Sequence, residues 1–166
     1  MTDYDLIGKP TPIELLIEAG RRIGVKSITE SQPHEFMMAL ADRHANEQAK
    51  ACYQSHNGFD GRASEVMAKF GGGTVSEIVA ESWPNQNENE AAEDAWQDWK
   101  QSPGHWKEAN SPHNWYGYSI AQGKNNIWYS CGIFVNGVSG PVGPDPTPTP
   151  EPRRGLLWRL FHRKNC

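Results

Sequence analysis

Residues 99–106 read Trp99-Lys100-Gln101-Ser102-Pro103-Gly104-His105-Trp106, and they follow an acidic, aromatic helix pattern that covers residues 91–99. Proline lacks a backbone donor and disfavours helix at the residue before it, while glycine frees the backbone. We therefore predict that the helix stops at a turn formed by Ser102, Pro103 and Gly104. This turn is expected to fix the direction in which His105 points.

Two strands are predicted shortly after this turn. Residues 115–121 and 127–135 are rich in aromatic and β-branched side chains, which favour strands. The intervening Gly123-Lys124-Asn125-Asn126 suits a tight turn, because Gly and Asn accept the left-handed backbone that such turns need. A helix, a turn that carries a histidine and a hairpin therefore form the C-terminal half of the predicted domain.

The N-terminal half is predicted to be mainly helical. Thr11-Pro12 is typical of a helix start, and apolar residues at helical spacing continue to residue 22. Residues 25–28 fit either a short strand or a connector. Ser31-Gln32-Pro33 is interpreted as the start of a long helix that runs to about Ser55. The predicted inner face of this helix consists of Phe36, Met37, Leu40, His44, Ala45, Gln48 and Cys52.

The middle of the chain is less regular. His56-Asn57-Gly58 ends the long helix, residues 62–70 form a short helix, and three glycines follow it. Residues 74–81 have apolar side chains at alternate or clustered positions and fit either a strand or a helix. From Gly137 the composition changes to glycine and proline. We therefore divide the chain into an N-terminal arm (1–10), a domain (11–138), a spacer (139–152) and a basic C-terminal segment (153–166).

The charge of the chain is unevenly distributed. The formal net charge is −4 over 166 residues. Residues from position 141 onward carry five basic and two acidic side chains, a net charge of +3, so the remainder carries −7. An acidic body argues against a nucleic-acid partner.

Cysteine usage and the N-terminus indicate a reducing compartment. Cys52, Cys131 and Cys166 show no CxxC pattern and are interpreted as free thiols, with a Cys52–Cys131 bridge as the open alternative. Residues 1–10 lack the basic start and apolar core of a signal peptide, and no apolar run approaches the roughly 18 residues of a membrane span. We expect a chain without a signal peptide that is made in the cytoplasm.

The order of these motifs resembles the CAP superfamily, the cysteine-rich secretory, antigen 5 and pathogenesis-related proteins that share an SCP-like domain. The resemblance is carried by His56-Asn57-Gly58 with an arginine on each side, of which Arg62 is the second, the run at 76–81, Trp99 with the Ser-Pro-Gly-His motif at 102–105, and the two predicted strands. The pattern is most similar to the bacterial-type branch and covers residues 11–136. It implies an α+β fold, an α-β-α sandwich with a small antiparallel sheet between helical layers, to which this chain adds an extended Pro-rich C-terminal tail.

The resemblance also implies a cleft lined by histidines and glutamates that can hold a divalent metal. His105 matches the histidine of the Ser-Pro-Gly-His motif, His56 matches the family's first histidine, and Glu77 matches the glutamate of its Gly-Glu-Asn segment. The family's second glutamate falls near Ser102 and has no counterpart, which weakens the argument for catalysis. Two imidazoles and one carboxylate are expected to form a three-ligand site for a metal such as zinc, with one position open to water.

Other interpretations of the same residues have to be weighed against this one. A metal-bound water would serve a hydrolase, with Glu81 as a candidate base, whereas a histidine beside a turn is often only hydrogen-bonded to backbone. We expect His44 in the core or at the cleft edge, and Cys52 as a helix-buried thiol rather than a nucleophile paired with His56. Most of the aromatic set is expected to fill the core rather than form a sugar-stacking surface; it comprises Trp96, Trp99, Trp106, Trp115 and Trp128.

The C-terminal segment carries a second functional signal. Residues 144–152 alternate proline with other residues, which is typical of an extended polyproline spacer. Residues 153–164 place apolar side chains on one helical face with arginines beside it. Such a basic amphipathic segment is predicted to dock on a protein partner, the alternative being a membrane surface. The predicted partner-binding residues are Leu156, Leu157, Trp158, Arg159, Leu160, Phe161 and Arg163.

Two functions follow from these observations. The first is an SCP-like binding or assembly module that is tethered by its C-terminal segment to a larger assembly, such as a bacteriophage virion, and that carries a metal cleft. The second is a metal-dependent hydrolase or small-ligand-binding protein that uses His56, Glu77 and His105. The missing signal peptide, the incomplete glutamate set and the amphipathic tail favour the first.

Overall fold

A four-stranded sheet lies at the centre of the fold. The computed structural model describes residues 8–140 and residue 143. The strands are β1 (Gln32–Pro33), β2 (Thr74–Glu81), β3 (Trp115–Gln122) and β4 (Trp128–Asn136), in the spatial order β1-β3-β4-β2. The strands β3 and β4 form the predicted hairpin, and β2 pairs antiparallel with β4. Because β1 pairs parallel with β3, the sheet is mixed rather than purely antiparallel.

Helices cover both faces of this sheet. They are α1 (Pro12–Arg22), α2 (Lys26–Thr29), α3 (Glu35–Ala51), α4 (Phe59–Phe70), α5 (Glu88–Gln101) and α6 (Pro103–Ala109). On one face, α3 and α4 bury an aliphatic cluster against β4. On the other face, α1, α2, α5 and α6 bury a larger cluster that includes Trp96, Trp99, Tyr118 and Phe134. The α+β class and the α-β-α sandwich are confirmed.

The close contact between α3 and the sheet depends on Gly117 of β3. A Cβ atom added at this position would lie 2.1 Å from the carbonyl oxygen of Met37. No side chain fits there, because the helix backbone itself occupies the space. The glycine therefore sets how near α3 lies to β3.

The predicted turn at Ser102 to Gly104 is a junction between two helices. The helix α5 ends at Gln101, Ser102 is extended with φ −101° and ψ 107°, and α6 begins at Pro103. Proline suits the first position of a helix, because its missing N–H would have no intrahelical partner there. The helix break is confirmed, but the prediction of a turn was wrong, and His105 lies in the first turn of α6.

Three further boundaries differ from the predictions. Residues 25–28, expected as strand or connector, contribute to the helix α2. Residues 32–33 form β1 instead of a helix start, and α3 begins after His34, whose Nδ1 accepts from the Phe36 N–H at 3.1 Å. The helix α3 ends four residues earlier than expected, because Cys52 adopts a left-handed backbone with φ 54°. Residues 74–81, which fit strand or helix, form the strand β2.

Several C-terminal predictions lie outside the described residues. These are the spacer from position 144 and the basic segment 153–166, with its predicted partner-binding residues. The N-terminal arm up to residue 7 lies outside them as well. Within residues 8–140, no helix has both the length and the apolar character needed to cross a membrane.

His113 is a fully buried histidine in the α6–β3 connection. Its Nε2 lies 2.7 Å from the carbonyl oxygen of Glu108, and its Nδ1 lies 2.8 Å from the side-chain nitrogen of Asn136. These contacts suit a neutral ring in which Nε2–H donates and Nδ1 accepts. Burial is the main cause that lowers the pKa of His113, although the Glu108 carbonyl acts in the opposite direction. Protonation would place two donors, the ring Nδ1–H and the Asn136 amide, against each other.

We predict that acid destabilises the fold through this ring. Below the ordinary histidine pKa of about 6.5, the ring is protonated in the unfolded chain, whereas in the folded protein it stays neutral down to its lowered pKa. The free energy of unfolding should therefore fall as the pH drops from about 6.5 toward the lowered folded pKa. Burial lowers the pKa of His34 and His105 too, so these rings add to the effect. Urea denaturation between about pH 7 and pH 5, with an NMR titration of the His113 ring, measures it. A ring that titrates at its ordinary value in a fold of pH-independent stability contradicts the prediction.

Candidate functional site

The loop between α3 and α4 is held by two buried polar side chains of α3. His44 and Gln48 are each 2% exposed. The Nε2 of His44 lies 2.8 Å from the carbonyl oxygen of Ser55, and the N–H of Ser55 donates to Oε1 of Gln48 at 3.1 Å. Both backbone groups of Ser55 are therefore paired, which fixes the chain directly before His56.

A buried ion pair lies beside this loop. Glu77 of β2 is on the sheet face that also carries Val75, which packs with the α3 and α4 cluster. Arg62 of α4 holds both of its carboxylate oxygens: Nε donates to Oε2 at 2.6 Å and Nη2 to Oε1 at 2.8 Å. The two side chains are only 4% and 1% exposed. Opposite charges can be buried in this way because the guanidinium satisfies the carboxylate through two parallel hydrogen bonds.

His56 forms a hydrogen bond to the same carboxylate. Its Nδ1 lies 3.0 Å from Oε1 of Glu77. A carboxylate only accepts, so the ring nitrogen must donate, and the neutral ring then carries its proton on Nδ1 and its lone pair on Nε2. The His56 side chain is 48% exposed. The ion pair therefore presents a histidine of defined tautomer at the surface.

His105 belongs to the helical layer on the other face of the sheet, and its ring lies beside that of His56. Its ring centroid lies 5.7 Å from that of His56, and the ring planes are inclined by 52°. The short helix α6 that carries it is joined to β2 by a hydrogen bond from Ser76 to Glu108 at 2.7 Å. Burial, followed by the proximity of His56, lowers the pKa of His105, so this ring is neutral at pH 7. Two imidazoles of this spacing can share one metal ion or one ligand when both rings are unprotonated.

The structure brings the three predicted residues together, but it gives Glu77 a different environment from the one expected. His56 contacts both Glu77 and His105, whereas both oxygens of Glu77 accept from Arg62. In the part of the chain that the structure describes, no group of three or more His, Cys, Asp or Glu side chains is placed to hold a metal ion. A three-ligand zinc site therefore stays a prediction, and the geometry makes Glu77 the hydrogen-bond acceptor that orients His56.

Sequence reasoning included Arg62 in the motif order but gave it no role in the site, and it missed the second role of His44. Arg62 and Val66 are one helical turn apart and both are buried, so the i, i+4 spacing with an apolar residue was the available signal. His44 was expected in the core or at the cleft edge. It is buried, and its Nε2 lies 3.8 Å from Oε1 of Glu77. The carboxylate is thus approached by His44, His56 and Arg62.

The other residues singled out in the sequence lie apart from this centre. Glu81 is exposed, four residues beyond Glu77 on β2, which corresponds to roughly 13 Å along a strand. Cys52 is a half-exposed helix cap whose thiol contacts the carbonyl of Ala49, so the prediction of a helix-buried thiol was wrong. Cys52 and Cys131 are free thiols, as predicted. Three of the five tryptophans are buried, namely Trp96, Trp99 and Trp128.

We predict that removal of Arg62 costs far more stability than removal of an exposed arginine. The Arg62→Leu variant leaves the Glu77 carboxylate buried without a counter-charge, and such changes cost about 3–5 kcal/mol. The double variant Arg62→Leu/Glu77→Leu should recover most of this loss. Urea denaturation measures the free energy of unfolding of each variant.

The Arg43→Leu variant is the matched control. Arg43 pairs with Glu65 at 2.6 Å, but both side chains are nearly half exposed. Exposed pairs contribute about 1 kcal/mol or less. A loss in Arg62→Leu no larger than that in Arg43→Leu contradicts the structural role assigned to the buried pair.

Comparison with known proteins gives a likeness of fold. No family model matches this chain, and no curated protein matches its sequence. Among solved structures, it is similar to an outer surface protein from Borrelia burgdorferi, with a TM-score of 0.52. The match covers 73% of this chain and 86% of that chain at 14% sequence identity. At this identity the likeness concerns the fold alone, and the resemblance to the CAP superfamily stays a prediction.

Proposed function

We propose that this chain is a binding module whose cleft binds a divalent transition-metal ion through His56 and His105. The observation that carries the proposal is the pair of imidazoles 5.7 Å apart, one of them with its tautomer fixed by a buried carboxylate. Neutral imidazole is the commonest protein ligand for metals and suits zinc, copper and nickel. Two histidines leave the remaining coordination positions to water or to a donor group of a bound partner.

The surroundings of His56 fit this role. Histidines that bind metal usually donate their other ring N–H to a carboxylate or a carbonyl, which orients the ring and raises its basicity as a ligand. The Nδ1 contact with Glu77 has this form, and the two hydrogen bonds from Arg62 hold the carboxylate in place. Glu77 thus contributes through His56.

Binding fits the geometry better than hydrolysis does. A metal-dependent hydrolase that uses His56, Glu77 and His105 needs a carboxylate free to take a proton from water. Both oxygens of Glu77 are engaged by Arg62, and Glu81 lies too far along β2 to replace it. The hydrolase or small-ligand enzyme is therefore the second candidate.

We propose further that the basic segment 153–166 tethers this module to a larger assembly. The support comes from the sequence, in which Leu156, Leu157, Leu160 and Phe161 share a helical face beside arginines. These residues lie outside the described part of the chain. A virion of a bacteriophage fits as the assembly, because such a component is made in the cytoplasm and used outside the cell.

We predict that Zn²⁺ or Ni²⁺ binds with one equivalent and that binding requires both cleft histidines. Single His56→Ala and His105→Ala variants should each lose at least about tenfold in affinity, and the double variant should lose measurable binding. Isothermal titration calorimetry on the full chain gives the affinities. Since metal binding competes with ring protonation, the affinity should also fall as the pH drops toward about 6.

The control is His162→Ala, which removes a histidine of the C-terminal segment and should leave the affinity unchanged. Circular dichroism verifies that each variant is folded. Equal heats for the wild type and the folded double variant contradict the proposal.

The tether has its own test. Replacement of Leu157, Leu160 and Phe161 by Asp in the full chain should abolish recovery of the protein in the assembled-particle fraction of its source cells. Metal affinity should remain unchanged, because the cleft is left intact. Undiminished recovery of this variant contradicts the tether and leaves the metal proposal untouched.

A further inference from the structure

An aromatic groove lies on the α3 and α4 side of the molecule, away from the two cleft histidines. It has a volume of about 380 Å³ and is lined by His34, Glu35, Phe36, Ala39 and Lys69. Phe70 lies beside it, with its ring centroid 4.9 Å from that of His34 and 6.3 Å from that of Phe36. The ammonium of Lys69 lies 5.9 Å from the centre of the Phe36 ring. The groove therefore combines three partly exposed rings with one cation, Lys69, and one carboxylate, Glu35.

Trp115 extends this aromatic surface toward the end of the described chain. Its ring centroid lies 5.1 Å from that of His34. Gly140 lies directly on its indole, since a Cβ added at Gly140 would be 2.6 Å from the Trp115 Nε1 and Cζ2 atoms. Two hydrogen bonds of Asn114 hold residues 138–140 beside the indole. Its Oδ1 accepts from the Val138 N–H at 3.3 Å, and its Nδ2 donates to the Gly140 carbonyl at 3.5 Å. The chain thus leaves the sheet across Trp115, next to the groove.

The indole N–H of Trp115 is an unused donor. Its Nε1 is buried and has no hydrogen-bond partner among the described residues. A buried tryptophan N–H normally finds an acceptor, because leaving it unpaired costs free energy. The Nε1 of Trp99 is also buried without a partner among the described residues, so the Trp115 donor is compatible with an added acceptor but is not unique to this surface.

We propose that this groove binds the proline-rich segment of the same chain, residues 144–152, in an extended polyproline conformation. Proteins bind such segments in grooves lined by aromatic rings, between which the proline rings pack. A polyproline backbone makes no internal hydrogen bonds, so its carbonyl groups are available to donors such as the Trp115 N–H. The segment reads Pro144-Asp145-Pro146-Thr147-Pro148-Thr149-Pro150-Glu151-Pro152, with a proline at every second position.

The chain connection favours this occupant, and Lys69 offers it one charge contact. Only three residues separate Gly140 from Pro144, and an extended polyproline chain advances about 3.1 Å per residue, so the segment starts within reach of the rings next to Trp115. Being tethered, it is present at a high effective concentration. Asp145 and Glu151 supply carboxylates that can pair with the exposed Lys69 at its end of the groove, whereas Glu35 has the same sign as they do. A proline-rich peptide from elsewhere would have to compete with the chain's own segment.

Paramagnetic relaxation NMR on the full chain tests the proposal. A nitroxide is attached at a Thr147→Cys position in a Cys52→Ser/Cys166→Ser background, where the remaining Cys131 is buried and unreactive. We expect strong broadening of the Trp115 indole and of the Phe36 and Lys69 amides, and at least several-fold weaker broadening at Lys124. Uniform weak broadening, without preference for the groove, overturns the proposal.

Four variants of the labelled chain complete the test. Replacement of the segment's five prolines by serine should remove the selective broadening, whereas Thr149→Ser should preserve it. Lys69→Glu should weaken it several-fold, whereas Lys124→Glu, a matched exposed lysine in the β3–β4 turn, should not. A second experiment mixes protein that carries the nitroxide but no ¹⁵N with ¹⁵N-enriched protein that carries no nitroxide. This mixture should show no selective broadening. Broadening in that mixture identifies a second copy as the occupant and overturns the intramolecular proposal, as does selective broadening that survives loss of the prolines.

Discussion

The paired hydrogen bonds between Arg62 and Glu77 join the parts of the molecule on which the cleft depends. Arg62 belongs to α4, Glu77 belongs to the edge strand β2, and a third guanidinium nitrogen donates to the carbonyl of Asn57, in the loop between α3 and α4, at 2.8 Å. Helix, loop and strand are thereby held in one arrangement. His56 lies in that loop and its Nδ1 is hydrogen-bonded to the same carboxylate, so its position follows from the ion pair.

A buried ion pair is not the most stabilising way to fill a core, because apolar residues of similar volume often give equal or greater stability. What the pair adds here is a negative charge beneath a surface imidazole, which an apolar core would not supply. That charge fixes the His56 tautomer and leaves Nε2 as an acceptor beside the neutral His105 ring. The pair therefore connects the packing of the α3 and α4 layer to the chemistry of the cleft.

Local sequence signals were sufficient for the long, strongly patterned elements but not for the short ones or for the contacts between elements. The hairpin and the inner face of α3 were predicted because their patterns are strong and continuous. The strand β1 could not be predicted, because two residues ending in Pro33 show no periodicity and pair with β3, some 80 positions later. The role of Arg62 was missed for a related reason: whether a helical arginine is solvated or buried depends on a partner in another element, here Glu77. The neighbourhood of His56, Glu77 and His105 was expected only from a family resemblance.

The tautomer of His56 is the most direct test of this account. Long-range ¹H–¹⁵N NMR of the imidazole rings at about pH 8 distinguishes a protonated Nδ1 from a protonated Nε2. The account predicts that His56 carries its proton on Nδ1, with an unprotonated Nε2. A His56 ring protonated on Nε2, or one that exchanges freely between both forms, would contradict the claim that the Arg62–Glu77 pair organises the cleft.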